Sequence, residues 1–383
     1  MRSEFALASL CRDQESTTGC ASTANSASPR PLHTGYTVTL KQQGISMYVL
    51  YDTRSVHPLD RYEHVQAGVA AELAPVAIHG RAPGKLVAVM AVTEIGEFKI
   101  EAVTWAADTE LAGHRTDRLI RVRDPECYRI FLSVNGGARM DQAGTQVLFR
   151  ARDIALYDLS RPWQATHPTG PTSMQLVMLT FPRALIPMAR AVVAPLVGTA
   201  LPRSLPGRSL VAQFLIELAG TSVDQEDEPA LAAALHECAV GLIRQRLSQP
   251  FGFTPRTRQL LRMASFRTIL RRHLNDPTFD PDRLAEIANV SPRYLYKVFQ
   301  EAGTTPMQLL KRLRLEASHR SLRDPSMADT PVKTIMAVHG YLRPDQFARD
   351  FKQYFGVSPA QVRGTAAQGG SATWSRRSSR EPG

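Results

Sequence analysis

The chain has 383 residues, enough for two or three compact domains, and no run approaches the ~20 apolar residues of a membrane span. Its formal charge is +11, and most of the excess lies between Phe251 and Arg363, where 19 Lys/Arg face 10 Asp/Glu. A basic segment joined to a near-neutral one points to a polyanion partner for the basic part, with no membrane.

Glu4, Arg12 and Asp13 interrupt any apolar core near the start, which argues against a signal peptide and for a cytoplasmic chain. Cys11, Cys20, Cys127 and Cys238 lack CxxC spacing and read as reduced structural thiols, not as a disulfide framework or a zinc site. No cofactor is implied.

Residues 1–46 are rich in Ser, Thr, Ala and Gly, have little periodicity and are expected to be disordered. Met47 opens a better patterned segment and is a second candidate translation start. From about Leu86 to Thr180 the pattern is strand-like, in "KLVAVMAV", "EFKIEAV", "DRLIRVR", "YRIFLSV", "TQVLFRA" and "IALYDLS". Asn135-Gly136-Gly137 and Ala143-Gly144 supply hairpin turns. These features predict an antiparallel barrel or sandwich over residues 47–205, with its interior or mouth as a small-molecule site.

Residues 206–250 change to helical periodicity. Leu210, Phe214 and Leu218 share one stripe; Leu231, Leu235, Cys238 and Leu242 share another. The two stripes either cap the preceding domain or form a dimer seam, and the pattern serves both equally.

Between 251 and 363, Asp280-Pro281, Ser291-Pro292, Thr305-Pro306, Thr330-Pro331 and Ser358-Pro359 each place a capping side chain before a proline. Such a residue accepts a hydrogen bond from the first-turn amides, and proline at the first helical position wastes no donor. Arg343-Pro344 keeps the proline without the cap. Two helix-turn-helix units follow. One runs from Leu284 through Asn289 into a helix from Pro292 to about Gln300; the other runs from Ile335 through Gly340 into a helix from Pro344 to about Tyr354. Asn and Gly suit the left-handed turn between the paired helices.

In the first unit Leu295, Val298 and Phe299 are expected in the core, leaving Arg293, Tyr296, Lys297 and Gln300 outward. In the second, Phe347 and Phe351 anchor the core, with Asp345, Gln346, Arg349 and Lys352 outward. Guanidinium, ammonium and amide groups on an exposed short helix are suited to reading base edges in a major groove. A merely polar bundle face is the simpler alternative for one unit, and the duplication together with the local charge favours DNA. A helix from Pro306 to about Leu322 separates the units by roughly 25 Å, so the reading helices come to about one DNA turn apart.

The quoted segments "LAEIANVSPRYLYKVFQEAGTTP", "LLKRLRLEASHRSL" and "FARDFKQYFGVSPAQVR" resemble the AraC/XylS family of bacterial transcription regulators over about residues 265–363. By that resemblance Arg293, Tyr296 and Lys297 face the groove in the first unit, and Pro344, Asp345, Gln346 and Arg349 in the second. Ser291, Arg314 and Lys352 take structural or phosphate-contacting positions. Met336 and His339 depart from the usual small and apolar residues, and Pro344 and Asp345 from small polar ones. An aspartate repels phosphate, so the first unit is expected to be the stronger reader.

"YRIFLSVNGG", "QAGTQVLFRARDIALYDLSRPW" and "YDTRSVHPLDRYEHV" resemble the cupin-like domain of the XylS-type branch, with Arg152-Asp153 where Gly-Asp is usual. The implied fold is α+β: a cupin-like antiparallel β-barrel with flanking helices, then an all-α domain with two helix-turn-helix units. The implied partners are double-stranded DNA, a small organic effector, a second copy of the chain and RNA polymerase. Trp105, Tyr157 and Trp163 are pocket candidates, with core packing the alternative. The implied function is a DNA-binding regulator of the activator kind.

Two other readings compete. An effector-independent DNA binder leaves the β domain without a task. A cupin-type metalloenzyme needs clustered imidazoles, and Lys85–Pro182 holds only His114 and His167, without HxH, HExxH, GxSxG or nucleotide-binding fingerprints. The expectation is a protein that is not an enzyme.

Overall fold

The computed structural model describes residues 47–80, 86–106, 110–142, 144–167, 173–205, 207–219, 221, 223–247 and 253–370, with side chains of the last stretch to 364. The expected disorder of 1–46, the end of the expected flexible tail, and Cys11, Cys20 and Ala143 lie outside them. Two compact units divide between Ala264 and Ser265.

In the N-terminal unit the strands form two sheets. One has the order β1 (Met47–Asp52), β3 (Val87–Ile95), β4 (Phe98–Ala106), β11 (Met174–Pro182), β6 (Cys127–Asn135), β9 (Ile154–Asp158). The other runs β2 (Ala77–Gly80), β5 (Leu111–Arg115), β10 (Trp163–His167), β7 (Ala138–Gln142), β8 (Thr145–Phe149). Every pairing within the sheets is antiparallel. The two ladders do not join, so the expected barrel is a two-sheet, cupin-like sandwich.

Alternation along the six-stranded sheet feeds two cores. Ile130, Leu132, Val177, Leu179 and Phe181 belong to one; Phe131, Leu176 and Met178, on the opposite face, belong to the other. Burial on both faces explains why these strands read as nearly continuous apolar runs. The first core is covered by helices α4 (Arg208–Leu218) and α5 (Glu228–Arg246). Leu210, Phe214, Leu218, Leu231, Leu235, Cys238 and Leu242 are all buried there. The two stripes therefore cap the domain's core.

Smaller helices complete this unit: α1 (Arg61–Glu72), α2 (Asp117–Val122) and α3 (Arg190–Val193). α2 is a correction, because "DRLIRVR" alternates like a strand. The Thr116 hydroxyl accepts from the Leu119 amide and Asp117 sits in the first turn, so the segment starts a helix. Arg152, where Gly is usual, has φ +69° and donates its amide to the Ser133 carbonyl.

Helix α6 (Pro255–Arg272) contains the division between units. Phe253, Leu261 and Ala264 pack in the N-terminal core, so that unit extends past the composition break at Pro250.

The C-terminal unit continues with α7 (Pro281–Ile287), α8 (Pro292–Glu301), α9 (Pro306–Arg323), α10 (Val332–Val338), α11 (Pro344–Phe355) and α12 (Pro359–Gly370). Asp280, Ser291, Thr305 and Ser358 all accept first-turn amides, and Thr305 completes a capping box with Gln308. Thr330 does not cap: Pro331 occupies the cap position of α10, and its carbonyl takes the Thr334 and Ile335 amides. α12 runs to Gly370, beyond the Arg363 at which the composition suggests a flexible tail.

Candidate functional site

The first helix-turn-helix pair is α7 and α8, joined through Asn289 at φ +50°. Leu295, Val298 and Phe299 are buried, and the Phe299 ring stacks on Phe266 at 5.4 Å. This anchoring leaves Arg293, Tyr296, Lys297 and Gln300 exposed. Lys297 Nζ lies 3.9 Å from the Glu301 carboxylate, an exposed pair that leaves the ammonium available to solvent. The Ser291 hydroxyl oxygen accepts from the Tyr294 amide at 3.2 Å and so works as the helix cap.

The second pair is α10 and α11, joined through Gly340 at φ +76°. Phe347 and Phe351 are buried, with Pro344, Asp345, Gln346, Arg349 and Lys352 exposed. Two features were not recognised in the sequence. Arg343, noted there only for its missing cap, places its guanidinium 3.5 Å from the Asp345 carboxylate and offsets the repulsion an aspartate would bring. Leu342 is 74% exposed at the entry to α11, and an exposed apolar side chain can meet a thymine methyl.

The departures at Met336 and His339 are absorbed by packing. Met336 is buried in the second unit's core. His339 Nε2 is 2.8 Å from the Ser321 hydroxyl, and burial beside Arg320 pushes the imidazole down to about 4, leaving it neutral. Arg314 is a structural residue. Its Nε donates to the Leu274 carbonyl at 3.0 Å and its Nη2 to the Asp276 carbonyl, so these donors are committed within the fold. Lys311 of α9 binds Asp350 of α11 at 2.6 Å, fixing α11 to the long connecting helix.

In the N-terminal unit a cavity of about 120 Å³ lies on the second core's side of the sandwich. Trp105, Tyr157 and Trp163 all line it, together with Tyr51, Arg129 and His167. The indole nitrogens of both tryptophans, the Tyr157 hydroxyl and His167 Nδ1 are buried without a hydrogen-bond partner. His167 meets Trp105 edge-on at 4.6 Å. Burial pushes its imidazole down to about 4, against a hydrogen bond to the Gly137 backbone.

Arg129 Nη2 is 3.0 Å from the Glu101 carboxylate, and its Nε donates to the Thr180 hydroxyl at 2.9 Å. Burial pushes the Glu101 carboxyl up, while Arg129 pulls it down. His114, the other histidine of the sequence window, stacks on His79 at 4.9 Å, a neighbour outside that window. Among the described residues no helix is long and apolar enough to cross a membrane.

The chain thus has a sandwich around a lined cavity and two anchored helix-turn-helix units with exposed polar faces. Comparison with known proteins agrees. A profile described as an AraC-binding-like domain matches residues 65–248, and one described as a helix-turn-helix domain matches 284–365. The chain thus carries an AraC-binding-like domain followed by an AraC-type helix-turn-helix domain.

It is 25% identical to the transcriptional activator NphR of Rhodococcus sp over 72% of this chain and 80% of that protein. It is 29% identical to a XylDLEGF operon transcriptional activator of Pseudomonas putida, covering 38% of this chain. That match spans about half (47%) of the relative's own length. Among solved structures, the AraC-like transcriptional activator CuxR aligns at 15% identity and TM-score 0.43, over 70% of this chain and 94% of that one.

Proposed function

We propose that the chain is a sequence-specific DNA-binding transcription regulator of the activator kind. Its N-terminal domain senses a small organic effector, and its two helix-turn-helix units enter adjacent major grooves. The carrying observation is α8: a capped helix, fixed by Leu295, Val298 and Phe299, that turns Arg293, Tyr296, Lys297 and Gln300 to solvent. α11 repeats the arrangement with Gln346 and Arg349, and with Arg343 beside Asp345. In this reading Lys352 contacts phosphate, and the chain works in the cytoplasm, on the nucleoid. A second copy of the chain and RNA polymerase are partners of the same reading.

Phosphate neutralisation releases counterions, so affinity should fall steeply between low and physiological salt. Arg293→Ala should lose about 1–3 kcal/mol of binding and relax selectivity at one base position. Selection of bound sequences from a random DNA pool, with the parent chain and the variant, reads both effects. If the variant loses affinity equally on every sequence, Arg293 contacts phosphate and its assigned role is wrong.

A further inference from the structure

The cavity's polar inventory carries the reading of the effector further, and this step rests on the N-terminal domain being the sensor. A cavity of about 120 Å³ is single-ring in size: an apolar cavity of ~150 Å³ takes one benzene. Its walls are aliphatic and aromatic apart from a few polar groups. An indole nitrogen can only donate, so Trp105 and Trp163 present two donors without acceptors. The Tyr157 hydroxyl can do either. His167 Nδ1 is buried without a partner as well, and on an imidazole it accepts in one tautomer and donates in the other. Each such buried atom costs about 1–3 kcal/mol while unpaired.

Charge then narrows the class. Among the described residues, Arg129 is the sole Asp, Glu, Lys or Arg lining the cavity. Its Nη2 is already paired with the buried Glu101 carboxylate, and its Nε with the Thr180 hydroxyl. An anion entering would find its cation neutralised from behind, and would lose its hydration without a counter-charge. We infer that the cavity selects an uncharged, planar, single-ring compound whose substituent both accepts and donates hydrogen bonds, and that the Arg129–Glu101 pair excludes the corresponding anion.

The test uses the full chain and titration calorimetry with benzamide, benzoate and naphthalene-2-carboxamide, run beside a DNA-binding assay with and without each probe. Benzamide should bind about tenfold or more tighter than benzoate, and the two-ring amide should not bind. Tyr157→Phe should weaken benzamide binding while leaving thermal stability unchanged or raised, because it removes an unpaired buried hydroxyl. Glu101→Gln, which releases the Arg129 charge, should shift the preference towards benzoate.

Benzoate binding as tightly as benzamide in the parent chain overturns the charge argument, as does failure of benzamide to bind at all. If Glu101→Gln does not fold, the parent chain's benzamide-to-benzoate ratio still decides. Benzamide binding that leaves DNA affinity unchanged would instead sink the sensing reading and leave the cavity's selectivity standing.

Discussion

Gly340→Ala is expected to destabilise the second helix-turn-helix unit by about 3 kcal/mol or more. Two costs add. The backbone at Gly340 has φ +76°, where an L side chain pays about 1–2 kcal/mol. A Cβ there would also lie 2.3 Å from the Leu274 carbonyl oxygen and 2.9 Å from Arg314 Nε, the two atoms whose hydrogen bond ties α9 to the segment following α6. The carbonyl is backbone and cannot swing aside. Thermal unfolding of the full chain should show the C-terminal transition lowered by roughly 10 °C. Asn289→Gly, at the corresponding turn of the first unit, is the control and should be nearly neutral, since its φ of +50° suits either residue. An unshifted transition in Gly340→Ala would show that the two helices do not meet as described.

Arg115→Ala is expected to cost the N-terminal unit about 3–5 kcal/mol, the scale of leaving several buried polar groups without their partner. Arg115 is 1% exposed. Its Nε donates to the Leu159 carbonyl at 2.8 Å, its Nη1 to Pro75 at 2.6 Å and its Nη2 to Arg123 at 2.5 Å. One side chain thus holds the end of β5, the approach to β2, the end of α2 and the chain leaving β9. Lysine has a single head and cannot span three carbonyls, so Arg115→Lys should recover less than half of the loss. Urea unfolding of the three chains measures this, and a loss below about 1 kcal/mol for the alanine variant would remove the staple from the account.

The C-terminal unit was legible in the sequence because its information is local. Asp280, Ser291, Thr305 and Ser358 announce helix starts, Asn289 and Gly340 announce left-handed turns, and the apolar spacing around Phe299 and Phe351 fixes which face is outward. Where two local signals competed, reading was less secure. Thr330 precedes a proline like the true caps, yet the helix begins one residue later, at Val332. "DRLIRVR" alternates like a strand, yet the Thr116 cap starts a helix.

The N-terminal site was legible in part. Trp105, Tyr157 and Trp163 stood out as aromatics, and they converge on one cavity although they come from three strands. Arg129, Glu101 and His167 did not stand out, because their meaning depends on contacts between strands far apart in sequence. Glu101 and Thr180 lie on β4 and β11, and come within reach of Arg129 on β6 only after the sheet has formed. The same holds for Arg115, whose three carbonyl partners carry no side-chain signature at all. Arg343 was passed over for a different reason: its value lies in the Asp345 carboxylate two residues on, which taken alone argues against a phosphate-facing helix.

The most direct test of two reading helices is a hydroxyl-radical footprint of the intact chain on a selected DNA site. Two protected tracts on one face of the duplex, centred about 10 base pairs apart, are predicted. Arg293→Ala should weaken protection in one tract and leave the other in place. A single tract, or loss of both together in that variant at saturating protein, would contradict the account.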